Sequence, residues 1–382
     1  MDEKKKVPKL RFKGFTDDWE QRKWKEIMLV NSGRDYKHLN EGKIPVYGTG
    51  GYMLSVDKSL SNIDAIGIGR KGTIDKPQYL SAPFWTVDTL FFMTPLKRTN
   101  LKFLYALSQN INWKKYDEST GLPSLSKTTI NNIVVKLPHN NEQNKIGKLI
   151  SQIDNLLILQ QRKLKQLKFI KKAMVQKLFT TKNVPNLRFK GFNSNWEQRK
   201  LKEISTKCVK KNKDSLNLPV LTNSAIQGIV FQDQFFDKSI AKKINNYYLV
   251  RPDDFVYNPR ISNNAPFGPI RRNKLSNIGV MSPLYYVFSL KDKVNKDFME
   301  YYFMSSRWHR FMYKNGDSGA RSDRFSIKDD IFKNMPIIIP TMKEQEKIGA
   351  FLKMLNHYID LQQDKISKLQ TYKRFLLQNM FI

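Results

Sequence analysis

Residues Val7 to Ile27 read VPKLRFKGFTDDWEQRKWKEI, and residues Val184 to Ile204 read VPNLRFKGFNSNWEQRKLKEI, so 16 of 21 positions are identical after a shift of 177. A second pair follows the same plan. EQNKIGKLISQIDNLLILQQRKLKQ from Glu142 and EQEKIGAFLKMLNHYIDLQQDKISKLQ from Glu344 match after a shift of 202. The order is therefore A-B-A′-B′, with an insert between each opening and each close that does not visibly align with its counterpart. Two constant frames hold two different inserts, which suits a protein that reads two different things with one geometry.

Outward from this repeat, each closing segment has apolar residues at alternating steps of four and three. The first runs Ile146, Ile150, Ile153, Leu157, Gln160, Leu164, Leu167, Lys171; the second runs Ile348, Leu352, Leu355, Ile359, Gln362, Ile366, Leu369, Lys373. Such a pattern predicts two long helices with a heptad seam in one shared register. Each is free of proline over about 38 residues, a rod of roughly 57 Å at 1.5 Å per residue. The seams most simply bury each other. Parallel and antiparallel pairing are both open, but each helix leaves from the insert before it, so antiparallel packing puts the inserts at opposite ends and brings Gln160 near Gln362. A buried polar contact there would set register at some cost in stability.

With 382 residues the chain is long enough for two domains. We divide it into residues 1–139, 140–182, 183–340 and 341–382. The expected fold class is α+β: two globular mixed α/β domains with substantial β-sheet, separated by two long helices forming an antiparallel coiled coil, with a pseudo-two-fold internal repeat. The single cysteine, Cys208, excludes internal disulfides, and the four scattered histidines have no partners at metal-ligand spacing. The start MDEKKK and the lack of a long apolar run predict no signal peptide and no membrane span. Net charge is +33, with excess in every segment: +9 over 1–140, +8 over 141–183, +13 over 184–340 and +3 over 341–382. A distributed excess beside many aromatics points to a polyanionic partner followed along an extended surface, as a nucleic-acid duplex would be.

The inserts read as short strands bounded by Gly, Pro, Asn and Asp, with a short helix at Leu101–Asn110 and a Tyr- and Met-rich helix from Lys296 to Phe311. Arg pairs with guanine, Asn or Gln with adenine, and Ser or Thr serves either, so the candidate DNA-binding residues are sought in the loops. In the first insert these are Arg70, Lys71, Thr73 and Lys76 of a Gly-flanked turn, and Ser124 of the loop before the last strand. In the second they are Arg260, Ser262, Asn263, Asn264, Arg271, Arg272, Arg321, Ser322 and Arg324.

Catalytic motifs fail on inspection. Gly67-Ile68-Gly69-Arg70-Lys71-Gly72 is a literal G-x-G-x-x-G, but Pro77 prevents the helix that a dinucleotide site needs. Asn258-Pro259-Arg260-Ile261 lacks the second proline and the aromatic of an amino-methyltransferase site. No phosphate-binding P-loop occurs, and Pro252-Asp253-Asp254 has no following D/E-x-K to complete a nuclease. No catalytic residue, metal ligand or cofactor site is expected in this chain.

Pro8-Lys9-Leu10-Arg11-Phe12 with Trp19, Pro185-Asn186-Leu187-Arg188-Phe189 with Trp196, Glu142-Gln143 with Lys145-Ile146-Gly147, and Glu344-Gln345 with Lys347-Ile348-Gly349 together resemble the specificity subunit of type I restriction–modification systems over the whole chain. The resemblance implies that the inserts are target recognition domains, each reading half of a bipartite DNA sequence, and that the helices set the gap. It implies two adenine-N6 methyltransferase subunits using S-adenosylmethionine, two restriction–translocase subunits using ATP and Mg²⁺, no catalysis by the chain itself, and a DNA-associated place in a prokaryotic cytoplasm. Trp19, Trp196, Gln161 and Gln363 are the expected partner contacts. The rival reading is a basic coiled-coil adaptor for nucleic acid with no restriction role.

Overall fold

The arrangement is given by a computed structural model, which describes residues 7–96, 99–213, 216–237, 243–321 and 323–382, and for 318–321 the backbone alone. The chain forms two compact units, one holding the residues up to Lys163 with Gln362–Ile382 and the other holding Leu164–Leu361. The fold is α+β, as expected, with two helices of 39 and 38 residues, Asn140–Leu178 and Met342–Asn379. Each unit contains one globular head, the first part of the helix that follows it and the last part of the other helix.

In the first unit, a four-stranded antiparallel sheet has the order Met28–Ser32, Leu90–Pro95, Ala65–Gly69, Gln78–Leu80. The inner strand Ala65–Gly69 is buried at all five positions, as its short unbroken apolar run predicts. In the second unit, the order is Ser205–Lys207, Tyr286–Leu290, Phe255–Tyr257, Ile270–Arg272. Both sheets place their second, third and fourth strands in the same chain sequence, so two inserts with no visible alignment share one topology. They differ in what is added: Gly51–Val56, Glu41–Gly48 and Trp85–Thr86 form a three-stranded sheet in the first, whereas Leu221–Ser224 and Gly228–Phe231 form a hairpin in the second.

The repeated motifs become one repeated set of contacts. Arg11 Nε and Nη2 donate to Glu142 at 2.7 and 2.8 Å, and Arg188 makes the same pair of bonds to Glu344 at the same distances. Both carboxylates are buried. Gln143 Nε2 donates to Pro138 O and its Oε1 accepts from Asn100 N; Gln345 repeats this with Pro340 and Asn295. Those asparagines in turn cap the helices Leu101–Asn110 and Lys296–Met304. Glycine is required at 147 and 349 because a Cβ there would lie 2.7 and 2.9 Å from the capping Oδ1 of Asn100 and Asn295. The E-Q-x-K-I-G motif is therefore a clasp between the long helix and the head before it.

The helix expected over Lys296–Phe311 is broken instead. It ends at Met304, Ser305 is extended, and a second helix runs His309–Asn315. Trp308 Nε1 donates to Phe303 O across the break, as Trp113 Nε1 does to Ser108 O in the other head. Burying the indole ring with its N–H satisfied favours the corner over a continuous helix.

Within each unit the long helices run antiparallel. In the first, Gln362 contacts Gln160 while Lys373, further along, contacts Asp154, earlier in its own helix. In the second, Lys171 meets Asn356. Ile146, Ile150, Ile153, Leu157, Ile348, Leu352, Leu355, Ile359 and Ile366 are buried; Leu164, Leu167 and Leu369 are half-buried.

Candidate nucleic-acid interface

Gly69 ends the buried strand of the first sheet, and a Cβ there would meet only backbone, Thr73 O at 2.1 Å and Thr73 C at 2.8 Å, so the chain must turn tightly against itself. The turn carries Arg70 and Lys71 outward, both exposed. Its backbone is held by Leu125 N donating to Arg70 O (2.9 Å) and Gly72 N donating to Pro123 O (2.8 Å), which sets Lys71 opposite Ser124. Asp117 steadies the far side by accepting from Ser124 N at 2.9 Å, and that bond holds its carboxyl below the usual range. Arg70 lies 5.8 Å over the Phe91 ring. Lys76 is exposed, whereas Thr73 and Ser124 are half-buried.

The second head repeats this arrangement with other side chains. Phe325 N donates to Pro259 O (2.8 Å) and Ile261 N to Asp323 O (3.0 Å), which sets Arg260 opposite Arg324. Lys71 and Ser124 thus correspond to Arg260 and Arg324. The same two-segment bridge presents Lys and Ser in one head and two arginines in the other. Ser262, Asn263 and Asn264 are exposed on the adjoining turn, which Ser262 and Ala265 close with reciprocal backbone bonds. Asp323 lies 3.6 Å from Arg260 and 3.9 Å from Arg324, an exposed contact worth little.

Two expected readers are committed elsewhere. Arg272 meets Asp253 and Asp297 at 2.5 Å and Glu300 at 3.6 Å with its side chain 15% exposed, so it ties the head together and does not face a ligand. Arg271 donates to Ala225 O at 2.7 Å, and burial lowers its pKa from the usual guanidinium value. Arg321 has only its backbone described, in a strand opposite Arg324, and Ser322 lies outside the described residues. Trp19 and Trp196 are also redirected: each is buried and packs edge-on at 5.9 Å against Phe103 and Phe298 respectively. They support the frame from inside and do not form a partner surface. Gln161 and Gln363 are exposed.

Arg260 and Arg324 line a cleft of about 480 Å³ that also includes Asn223, Gln232, Asn258 and Tyr285. Sequence reading passed over Asn223 and Gln232, whose hairpin is marked only by the turn Ser224–Gly228, and met Asn258 only as part of a failed catalytic motif. Asn258 accepts from Arg260 N at 2.9 Å and so shapes the bridge. Asp253 and Asp254, considered as a nuclease fragment, serve as an ion-pair partner of Arg272 and Lys296 and as the acceptor for Arg251 N. Among the described residues no helix is long and apolar enough to cross a membrane.

Two kinds of relative match this arrangement. A family model described as the type I restriction modification DNA specificity domain matches residues 16–169 and again 193–371. The type I restriction enzyme MjaVIII specificity subunit of Methanocaldococcus jannaschii is 25% identical over 338 residues, covering 83% of this chain and 75% of that protein. A putative type I restriction enzyme MjaX specificity subunit from the same organism is 22% identical over 382 residues, covering 95% and 81%. Among solved structures, the S subunit of a type I restriction–modification system from M. genitalium superposes with a TM-score of 0.66 at 14% identity, covering 98% of this chain and 99% of that one. A chain from a study of type I system assembly and conformational transition gives 0.52 at 15% identity, covering 95% and 97%.

Proposed function

Because this chain belongs to the type I restriction modification DNA specificity family, we propose that its two heads read the two halves of one bipartite DNA target and that its paired helices fix the distance between them. The observation that carries this reading is the repeated bridge, Lys71 opposite Ser124 and Arg260 opposite Arg324, which presents different side chains at one place in one shared topology. Different chemistry on equal frames is what an asymmetric two-part target requires. Arg and Lys contacts to phosphates supply affinity and orientation, and a few loop side chains supply sequence.

The chain performs no chemistry of its own in this reading. Two methyltransferase subunits carry S-adenosylmethionine, and two restriction–translocase subunits carry ATP and Mg²⁺, all acting on DNA in a prokaryotic cytoplasm. Docking of two equal partners is supported by apolar side chains left exposed in the repeat. Leu156 and Leu159 are matched by Tyr358 and Leu361, and Ile170 by Tyr372, each exposed on a long helix near Gln161 or Gln363. Apolar groups clustered on an exposed face mark an interaction surface.

Expression with the companion methyltransferase, followed by mapping of N6-methyladenine across the host DNA, tests the reading. A bipartite methylated sequence that changes in one half only when Arg260 and Arg324 are replaced is the expected result. An unpatterned distribution would refute it.

A further inference from the structure

In both heads a side chain on the fourth strand of the main sheet clamps the tip of a neighbouring hairpin. Gln78 lies opposite Gly67, four residues before Lys71, and its Nε2 donates to Gly48 O at 2.9 Å and Thr49 O at 3.2 Å. Arg271 lies opposite Val256, four residues before Arg260, and its Nη2 donates to Ala225 O at 2.7 Å. The two clamps therefore occupy one place in the shared topology. The tips they hold carry different side chains, Gly50, Gly51 and Tyr52 in the first head and Ala225, Ile226 and Gln227 in the second.

The second hairpin, Leu221–Ser224 paired with Gly228–Phe231, is fixed along its length. Asn223 Nδ2 donates to Val256 O at 2.7 Å, Asn258 Nδ2 donates to Asn223 O at 2.8 Å, and Ser224 Oγ accepts from the backbone N–H groups of Ile226 and Gln227 at 3.3 and 3.2 Å. On this held tip Ile226 is 79% exposed, and it lines the same cleft as Arg260 and Arg324. Turn tips ordinarily carry Gly, Asn, Asp or Ser for conformational reasons, and a β-branched aliphatic side chain left in water there gains nothing from packing within the head. A two-stranded β-ribbon is an element that the major groove admits, and thymine alone among the four bases presents a methyl group in that groove. We propose that this hairpin tip enters the major groove of double-stranded DNA beside Arg260 and Arg324, and that Ile226 reads the 5-methyl group of a thymine. Because the tip is already held by Arg271 and Ser224, the contact forms without the cost of ordering a loop. The inference rests on the reading of the chain as a DNA specificity subunit.

The test uses the chain assembled with its companion methyltransferase on duplexes carrying the mapped target. Each thymine is replaced in turn by uracil, which removes one methyl group at a time. For the wild-type complex one such replacement weakens binding roughly fourfold, the effect of one buried methyl group. In Ile226→Ser, checked for an unchanged melting temperature, that same replacement has no effect, and the other positions respond as before. Ile226→Val keeps a branched apolar tip and retains the discrimination. A wild-type complex insensitive to every replacement, or equal sensitivity of wild type and Ile226→Ser at every position, overturns the methyl-reading proposal and leaves the specificity-subunit reading standing. A wild-type complex with no sequence preference overturns both.

Discussion

Gln362 donates its side-chain amide to Gln160 twice, to the backbone oxygen at 3.1 Å and to Oε1 at 2.7 Å. Gln362 is buried between the apolar seam residues Ile359 and Ile366, so the contact acts chiefly against other registers. Gln362→Leu should lower stability by about 0.5–1.5 kcal/mol, because Gln160 loses its donor. Adding Gln160→Leu should restore or exceed the wild-type value at the cost of register specificity. Urea unfolding midpoints of the two variants check the order.

The seam lysines differ between the repeats, although their sequence positions match. Lys373 pairs with Asp154 at 2.5 Å and donates to Gln109 at 2.6 Å, whereas Lys171 meets the uncharged Asn356 at 2.6 Å. Lys373→Met should cost about 1–3 kcal/mol by stranding Asp154, but Lys171→Met should cost nothing or stabilise. Thermal unfolding of the two variants side by side should show a loss for Lys373→Met and none for Lys171→Met.

Lys171 also implies a pH dependence. Burial lowers its pKa below the usual 10.5, so the unfolded chain binds the extra proton. That contribution makes stability rise with pH from the lowered value toward 10.5, and the rise should vanish in Lys171→Met. Unfolding free energies of the two proteins between neutral pH and pH 10 measure the difference.

Two arginines of the second head should separate binding from stability. Arg260 is exposed, so Arg260→Ala should leave the melting temperature unchanged and weaken DNA binding by about 1–3 kcal/mol at one base position, or uniformly with a shallower salt dependence if it holds phosphate. Arg272→Ala removes the cation shared by Asp253, Asp297 and Glu300, each of which keeps a lysine partner, and should destabilise the head by about 1–3 kcal/mol. Salt-dependent binding titrations and calorimetry on both variants distinguish the two roles.

Inserting seven residues into each long helix, in register, would lengthen the pair by about 10 Å. If the helices set the gap, the methylated target should gain about three base pairs of spacer, since one base pair rises roughly 3.4 Å. An unchanged spacer in the methylation map would remove the helices from that role.

Much of the frame was legible because its signals are local. Heptad spacing shows two helices and leaves their pairing open; only the antiparallel choice, which the structure adopts, brings Gln160 to Gln362. The readers were less legible. Arg271 and Arg272 look as available in sequence as Arg260, yet their partners Ala225, Asp253, Asp297 and Glu300 come from other strands and from a helix. Trp19 and Trp196 drew notice as repeated aromatics, and repetition alone cannot separate an internal support from a docking surface.

By itself the sequence determined the duplication, the long helices, the basic charge and the family, since identity, periodicity and composition require no knowledge of distant neighbours. Only the tertiary structure decided that the unalignable inserts share a strand order, and that Lys71 and Ser124 stand where Arg260 and Arg324 stand. It also decided which arginines are consumed by carboxylates and which face outward. The physical reason is that the fate of a charged side chain depends on what the fold brings beside it, and no spacing along the chain records that.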